Sequence, residues 1–368
     1  MTEGGRRSGA AVVAVVSAEL FAEFFSPEDA ARLDRASRSL SQDRAARSLS
    51  EDRGADRDET RRPPSASPES APGLVRVDRI ADIPDPGAVR VLVTSWGVGP
   101  LDEDVLARFP RLELVAHTGA TVKPFATDAL FDRGVIVTQA GAGMARSVGE
   151  VSLAFTLALL HRIPALHEGV RTGGWYDPAA GTQHEIAEAP IAVIGASRTG
   201  RAYLEMIRAL GARPLLVDPT VDAAEADALG AELLPLDAAL QRARIVAVHA
   251  PTLPETHHLI GARELALMPD GAGLVNTARS WLVDERALQA EVSSGRLSAA
   301  IDVFDEEPLA AASPWRTLPN VLLTPHRAAG TREGRLRQGR IVADEIDAFV
   351  SGRELGHAVT RAHLATMG

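Results

Sequence analysis

Short apolar runs alternate with amphipathic stretches along most of this chain. From Leu74 onward, "VRVLVTS", "LELVAHT" and "GVIVTQA" are nearly continuous in Val, Leu, Ile and Ala. That is the pattern of parallel strands covered on both faces. "SVGEVSLAFTLALLHRIPALHEGV" then predicts a long helix interrupted at Pro164. After the turn-rich "TGGWYDPAAGTQHEIAEAP", a second series of strands is expected at "IAVIG", "PLLVD", "RIVAVHA", "AGLVN", "SAAIDV" and "NVLLTPH". A last helix is expected around "RLRQGRIVADEIDAFVSG". The alternation predicts an α/β fold of two doubly wound parallel-sheet domains with a cleft between them. The expected domains are residues 1–165 and 166–328, with 329–368 forming a C-terminal helix that returns to the first.

Two stretches stand outside this pattern. "RRSGAAVVAVVSAE" has the paired arginines, apolar run and small-residue end of an export signal. Its Val/Ala run is short for a signal core, so a buried first strand over Ala10–Val16 is the preferred reading. The helical stretch "SPEDAARLDRA" follows, with Pro27 and Asp29 in its first turn. Residues 37–73 are charged, rich in Ser and Pro, and repeat "RSLSQDR" as "RSLSEDR". With few large apolar side chains to offset the entropy of ordering, they are expected to form a disordered insertion.

Composition narrows the function classes. A length of 368 residues suits two cores better than one. The net charge of −10 argues against a general nucleic-acid binder. No apolar run approaches the ~20 residues that span a bilayer, so no membrane partner is expected. The chain has no cysteine, which excludes disulfides, thiolate metal sites and a cysteine nucleophile. Its histidines show no metal-ligand spacing, so no metal is expected. Among the 39 basic residues, Lys123 is the single lysine.

"IAVIGASRTG" reads as a strand, a glycine turn and a helix start. Such a turn aims backbone N–H groups and the helix dipole at an anion, here a pyrophosphate. Gly195 supplies the tight turn and Gly200 the close helix packing, with Arg198 and Thr199 between them. Ser197 stands where a middle glycine is usual, and its hydroxyl could bond a phosphate oxygen or cap the helix. Asp218, ending "PLLVD", is placed to accept hydrogen bonds from a ribose and to repel a 2′-phosphate, which favours NAD over NADP. Taken alone, Asp218 also fits a surface turn.

Further along, "HAPTLPETHHLI", "VNTARSWLVDERAL", "AAIDVFDEEPL" and "NVLLTPHRAAGT" occur in that order. The three later stretches lie at or just after the carboxyl ends of expected strands, where doubly wound sheets bind ligands. Together the four resemble the D-isomer-specific 2-hydroxyacid dehydrogenase family over most of residues 90–350. The resemblance implies a flavodoxin-like substrate domain, a Rossmann NAD-binding domain and a homodimer in the cytoplasm. It implies that Arg279 holds the substrate carboxylate and polarises the carbonyl, and that His326 is the acid/base. Glu307 would pair with His326, although its acidic neighbours Asp305 and Glu306 are close competitors for that place. Asp302 would bond the nicotinamide carboxamide. His249, Ala250, Pro251 and Thr256 would line the cofactor cleft, and Thr277 would lie near the nicotinamide ribose.

In the first domain, "HTGATVKPF" resembles the family's substrate loop, with Thr118, Gly119 and Ala120 meeting the carboxylate through backbone N–H groups. Two positions depart from the family pattern. Lys123 stands where an aspartate is usual, and Ser280 replaces the glycine after the arginine. Lys123 could recognise a second anionic group on the substrate, or be a solvated loop lysine. The expected activity is hydride transfer between NAD(H) and a small 2-hydroxy or 2-oxo acid. The alternatives are the same chemistry on a phosphorylated or phosphonate substrate, and a non-catalytic NAD(H)-sensing corepressor.

Overall fold

The computed structural model describes residues 9–52, 71–175 and 181–366. It divides into two compact units, one of Met1–Gly143 with Arg335–Ala365, the other built on Met144–Gly334. The sequence reading places this boundary after residue 165. The structure places it before the helix Ala145–Leu160, because that helix packs on strands and a helix of the second unit.

The first unit is built on a six-stranded sheet. Its strands are β1 (Val12–Val15), β2 (Val75–Val77), β3 (Val91–Thr94), β4 (Leu114–His117) and β5 (Ile136–Gln139). They run parallel in the order β2-β1-β3-β4-β5, the flavodoxin-like arrangement. One sheet face carries Val12, Ala14, Val91, Val93, Leu114 and Ala116. They pack against Phe24, Phe25 and Leu33, and against Val342, Ala343 and Ile346 of the helix Arg332–Val350. Each Val, Leu, Ile or Phe side chain among them contributes about 1.5–3 kcal/mol when fully buried.

The expectation of disorder across 37–73 is corrected at its start, where the helix Pro27–Asp52 continues through it. Leu33, Ala36, Ser37 and Leu40 recur at helical spacing and are buried. The Ser37 hydroxyl accepts from the Val12 N–H of β1 (3.2 Å) and donates to the Gly73 carbonyl (3.0 Å). Composition hid this apolar stripe. Residues 53–70 lie outside those described.

In the second unit seven parallel strands form one sheet. They are β6 (Pro190–Ile194), β7 (Arg213–Val217), β8 (Glu232–Leu233), β9 (Ile245–Val248), β10 (Gly273–Asn276), β11 (Ser298–Ile301) and β12 (Val321–Leu323). The order β8-β7-β6-β9-β10-β11-β12 is the Rossmann order, extended by one strand. Alternate residues serve opposite cores: Ala192, Ile194, Val246 and Val248 on one face, Ile191, Val193, Ile245 and Ala247 on the other. Burial of both faces explains why these strands read as unbroken apolar runs. The strand order reverses direction between β6 and β9, which opens a crevice at their carboxyl ends.

A two-residue strand β13 (Ala358–Val359) pairs antiparallel with β5 at the edge of the first sheet. By length and composition, Gly141–Leu160, which overlaps the predicted long helix, could cross a membrane, against the expectation that no apolar run approaches that length; 50% of its apolar window is buried within the protein. The expected interruption at Pro164 falls at Arg162, which adopts φ 55° before the next helix, Ile163–Arg171.

Candidate active site

The glycine turn occupies the crevice between β6 and β9. Gly195 adopts φ +104°, and a Cβ there would meet the Ala250 backbone N at 2.6 Å. Only glycine lets the chain leave β6 so close to the end of β9. At Gly200 a Cβ would strike the Gly195 carbonyl, so the second glycine allows the helix Arg198–Ala209 to pack on the turn. Ser197 is the N-cap of that helix, its hydroxyl accepting from the Gly200 N–H (3.3 Å). The capping role open to Ser197 is thus filled in the structure. The N–H groups of Arg198 and Thr199, in the first turn, have no intrahelical acceptor.

Asp218, at the end of β7, reaches back to the turn: its Oδ2 accepts from the Ala196 N–H (2.7 Å), and its Oδ1 from the N–H and hydroxyl of Thr220. Burial raises its pKa, but the Thr220 and Ala196 bonds and the Arg201 charge outweigh that and hold it below the ordinary value. His249, following β9, is 2% exposed and lies against Tyr203 at 5.1 Å. Both its ring nitrogens lack a partner, and burial pushes its pKa down to about 4. A glycine cradle, a helix start with unsatisfied N–H groups and an orphaned polar ring fit a dinucleotide at this crevice. Thr256 closes the neighbouring loop, donating to the Pro251 carbonyl (2.7 Å) and accepting from the Leu253 N–H (2.9 Å).

Arg279, Glu307 and His326 all stand on loops at carboxyl ends of the same sheet, after β10, β11 and β12. His326 Nδ1 lies 2.8 Å from Glu307 Oε2. Of the three consecutive acids, Glu307 is therefore the one that pairs with the histidine. Burial raises the Glu307 pKa, but the His326 and Phe304 N–H bonds and the charges of His326 and Arg279 bring it below the ordinary value. Burial lowers the pKa of the Arg279 guanidinium, and the Glu307 charge opposes that shift. Arg279 Nη1 donates to the Ala278 carbonyl (2.6 Å).

The sequence reading misses what holds these groups. Asn276 accepts from the Ala278 N–H (3.1 Å) and donates to the Arg279 carbonyl (2.9 Å), which folds the loop around the arginine. Thr277 shares a hydrogen bond with Ser152 (2.7 Å). Asp302 is 1% exposed, and its carboxylate accepts from Thr324 Oγ1, the Arg327 N–H and the Ala328 N–H. Its backbone carbonyl also accepts from the His326 N–H (2.8 Å), and His326 adopts φ 52°. A carboxamide contact by Asp302 would have to share oxygens that already serve the histidine loop. Asn276 and Asp302 lie inside the motifs, but only the loop path reveals their partners.

Thr118, Gly119, Ala120 and Lys123 belong to the first unit, following β4. Thr118 is buried, and its carbonyl accepts from Gln338 Nε2 (2.7 Å). Beneath the loop lies His117, unnoticed in the sequence, 3% exposed and bonded through Nδ1 to Thr94 Oγ1 (2.9 Å). A Cβ on Gly119 would meet His117 Nε2, so the loop lies directly on that ring. Lys123 is exposed. No cluster of possible metal ligands occurs among the described residues.

Residues 153–328 match the sequence model described as "D-isomer specific 2-hydroxyacid dehydrogenase, NAD binding domain". The chain is 37% identical over 282 residues to a D-3-phosphoglycerate dehydrogenase of Mycobacterium bovis, covering 76% of this chain and 52% of that one. It therefore spans about half the length of such relatives. It is 32% identical over 268 residues to a glyoxylate reductase of Aeropyrum pernix, covering 71% of this chain and 80% of that one. A D-lactate dehydrogenase from Aquifex aeolicus, solved with NAD and lactic acid, superposes with TM-score 0.65 at 25% identity, covering 78% of this chain and 92% of that one. The chain belongs to the D-isomer specific 2-hydroxyacid dehydrogenase family, and its second unit carries that family's NAD-binding domain.

Proposed function

We propose that this protein interconverts a small 2-oxo acid and its D-2-hydroxy acid with NAD(H). The observation that carries this reading is the His326–Glu307 pair at 2.8 Å, in the unit that also holds the desolvated Arg279 and the glycine cradle. Arg279 binds the substrate carboxylate through its fork of N–H donors and polarises the 2-oxo group. Glu307 engages Nδ1 of His326, which leaves Nε2 to give a proton to the carbonyl oxygen during reduction and to remove it during oxidation. The Glu307 carboxylate stabilises the imidazolium that precedes reduction. When bound, NADH supplies the hydride that reaches C2. Thr118, Gly119 and Ala120 receive the carboxylate on the substrate side.

For the cofactor, Gly195, Ser197, Arg198, Thr199 and Gly200 receive the pyrophosphate and Asp218 the adenosine ribose. His249, Ala250, Pro251, Thr256 and Thr277 line the rest of its path. Asp302 acts by holding the His326 loop. The ionised Asp218 disfavours a 2′-phosphate, which supports NAD over NADP. A cytoplasmic homodimer fits this reading, and the exposed Ile163, Val170 and Trp175 offer apolar surface for a second copy.

The second reading, a substrate with an additional anionic group, is favoured by Lys123 on the loop that follows Thr118–Ala120 and by the phosphoglycerate dehydrogenases among the relatives. Purified protein with NADH and a panel of 2-oxo acids, including phosphorylated and dicarboxylic ones, separates the two. Preference for mono-anionic acids, unchanged in Lys123→Ala, supports the first. Preference for dianionic acids that disappears in Lys123→Ala supports the second. NADH binding without turnover on any of them would instead indicate a cofactor-sensing protein.

A further inference from the structure

Two residues beyond Arg279 stands Trp281, 40% exposed and yet bonded at several points. Its indole Nε1 donates to the Leu253 carbonyl (2.9 Å). Its ring meets that of His257 at 4.1 Å between centroids, and His257 stacks on His258 at 3.9 Å. The Trp281 carbonyl accepts from the His258 N–H (2.9 Å). The contact continues as Ile260 N–H donates to the Leu282 carbonyl (3.0 Å), Asp284 N–H donates to the Ile260 carbonyl (3.0 Å), and Ile260 bridges to Val283. Residues 257–260 are thus fastened to residues 281–284 along their length.

One end of this seam is the loop Pro251–Thr256, closed on itself by the Thr256 hydroxyl. The other end is Arg279, whose carbonyl is held by Asn276 and accepts from the Leu282 N–H (3.4 Å). Core packing does not account for a tryptophan so exposed; a satisfied indole N–H and a tilted ring contact with His257 mark a brace instead. We propose that Trp281 is a positioning residue that locks the cofactor loop Pro251–Thr256 to the turn carrying Arg279. The inference rests on the functional reading above, which puts NADH against that loop and the substrate carboxylate on Arg279. Freeing the loop disorders a cofactor wall, and freeing the turn lets the guanidinium leave its productive position.

The test compares full-length wild type, Trp281→Ala and Trp281→Phe, with NADH Kd read by direct titration and KM and kcat read with the best 2-oxo acid. Trp281→Ala is expected to weaken NADH binding and raise the 2-oxo acid KM, each about tenfold, with a smaller change in kcat. Trp281→Phe keeps a ring beside His257 but loses the bond to Leu253, and should recover part of both losses. Should the alanine variant fail to fold, the phenylalanine variant must still bind NADH a few-fold more weakly. Unchanged Kd and KM, with any loss confined to thermal stability, overturn the brace and leave the dehydrogenase reading intact. If wild type binds NADH but reduces no 2-oxo acid, that reading fails and the brace is judged on the NADH Kd alone. A wild type that does not bind NADH overturns both.

Discussion

Glu307 sits within reach of a histidine and an arginine. His326 takes its hydrogen bond, while Arg279 adds a favourable charge without an ion pair to it among the described residues. Glu307→Gln preserves a possible acceptor but removes the charge that stabilises the imidazolium. Reduction, which needs that imidazolium, should slow about 10²-fold. A reduction rate close to wild type would show that the carboxylate only orients the ring. Arg279→Lys keeps the charge but loses the planar fork, so kcat/KM should fall by at least about 10²-fold with NADH binding retained. The placement of these three residues after β10, β11 and β12 was legible because each sits in a recognisable motif after an apolar run. The contacts of Asp302 were not legible, since its donors lie in the loop that follows β12.

At the scale of elements, the turn between β6 and its helix concentrates the strictest requirements. Gly200→Ala would force its methyl group into the Gly195 carbonyl and should abolish measurable NADH binding, readable by titration on folded protein. Ser197→Gly removes a cap at a cost of only a few tenths of a kcal/mol, so NADH Kd should stay the same or improve. A large loss would mean that the hydroxyl itself holds the phosphate. The long strands were legible because apolar runs buried on both faces announce themselves. The strands β2, β8 and β13 were not, being two or three residues long at or beside a sheet edge. The helix Pro27–Asp52 shows the opposite failure: abundant charge and serine masked a narrow apolar stripe facing β1.

Across the whole molecule, each unit buries one neutral histidine, His117 in the first and His249 in the second, and burial pushes each pKa down to about 4. Between the ordinary value of 6.5 and about 4 the unfolded chain binds protons that the folded one does not. Stability therefore falls as pH drops through that window. Thermal melts across it should show a declining Tm, with a shallower slope in His249→Asn; identical slopes would remove His249 from the account. The two-domain organisation was legible from the alternation of strands and helices. The boundary was not, because the helix Ala145–Leu160 is apolar on the side it turns to the second sheet, and sequence alone does not say which sheet that is. The proposed reaction is hydride transfer between NADH and a 2-oxo acid with D stereochemistry. Incubating the protein with NADH carrying deuterium at both C4 positions and a 2-oxo acid that yields a chiral product, then determining the configuration and label of that product, tests this reaction. The expected product is the D-2-hydroxy acid with deuterium at C2; an L product, an unlabelled one, or none across a broad set of 2-oxo acids would overturn the proposed reaction.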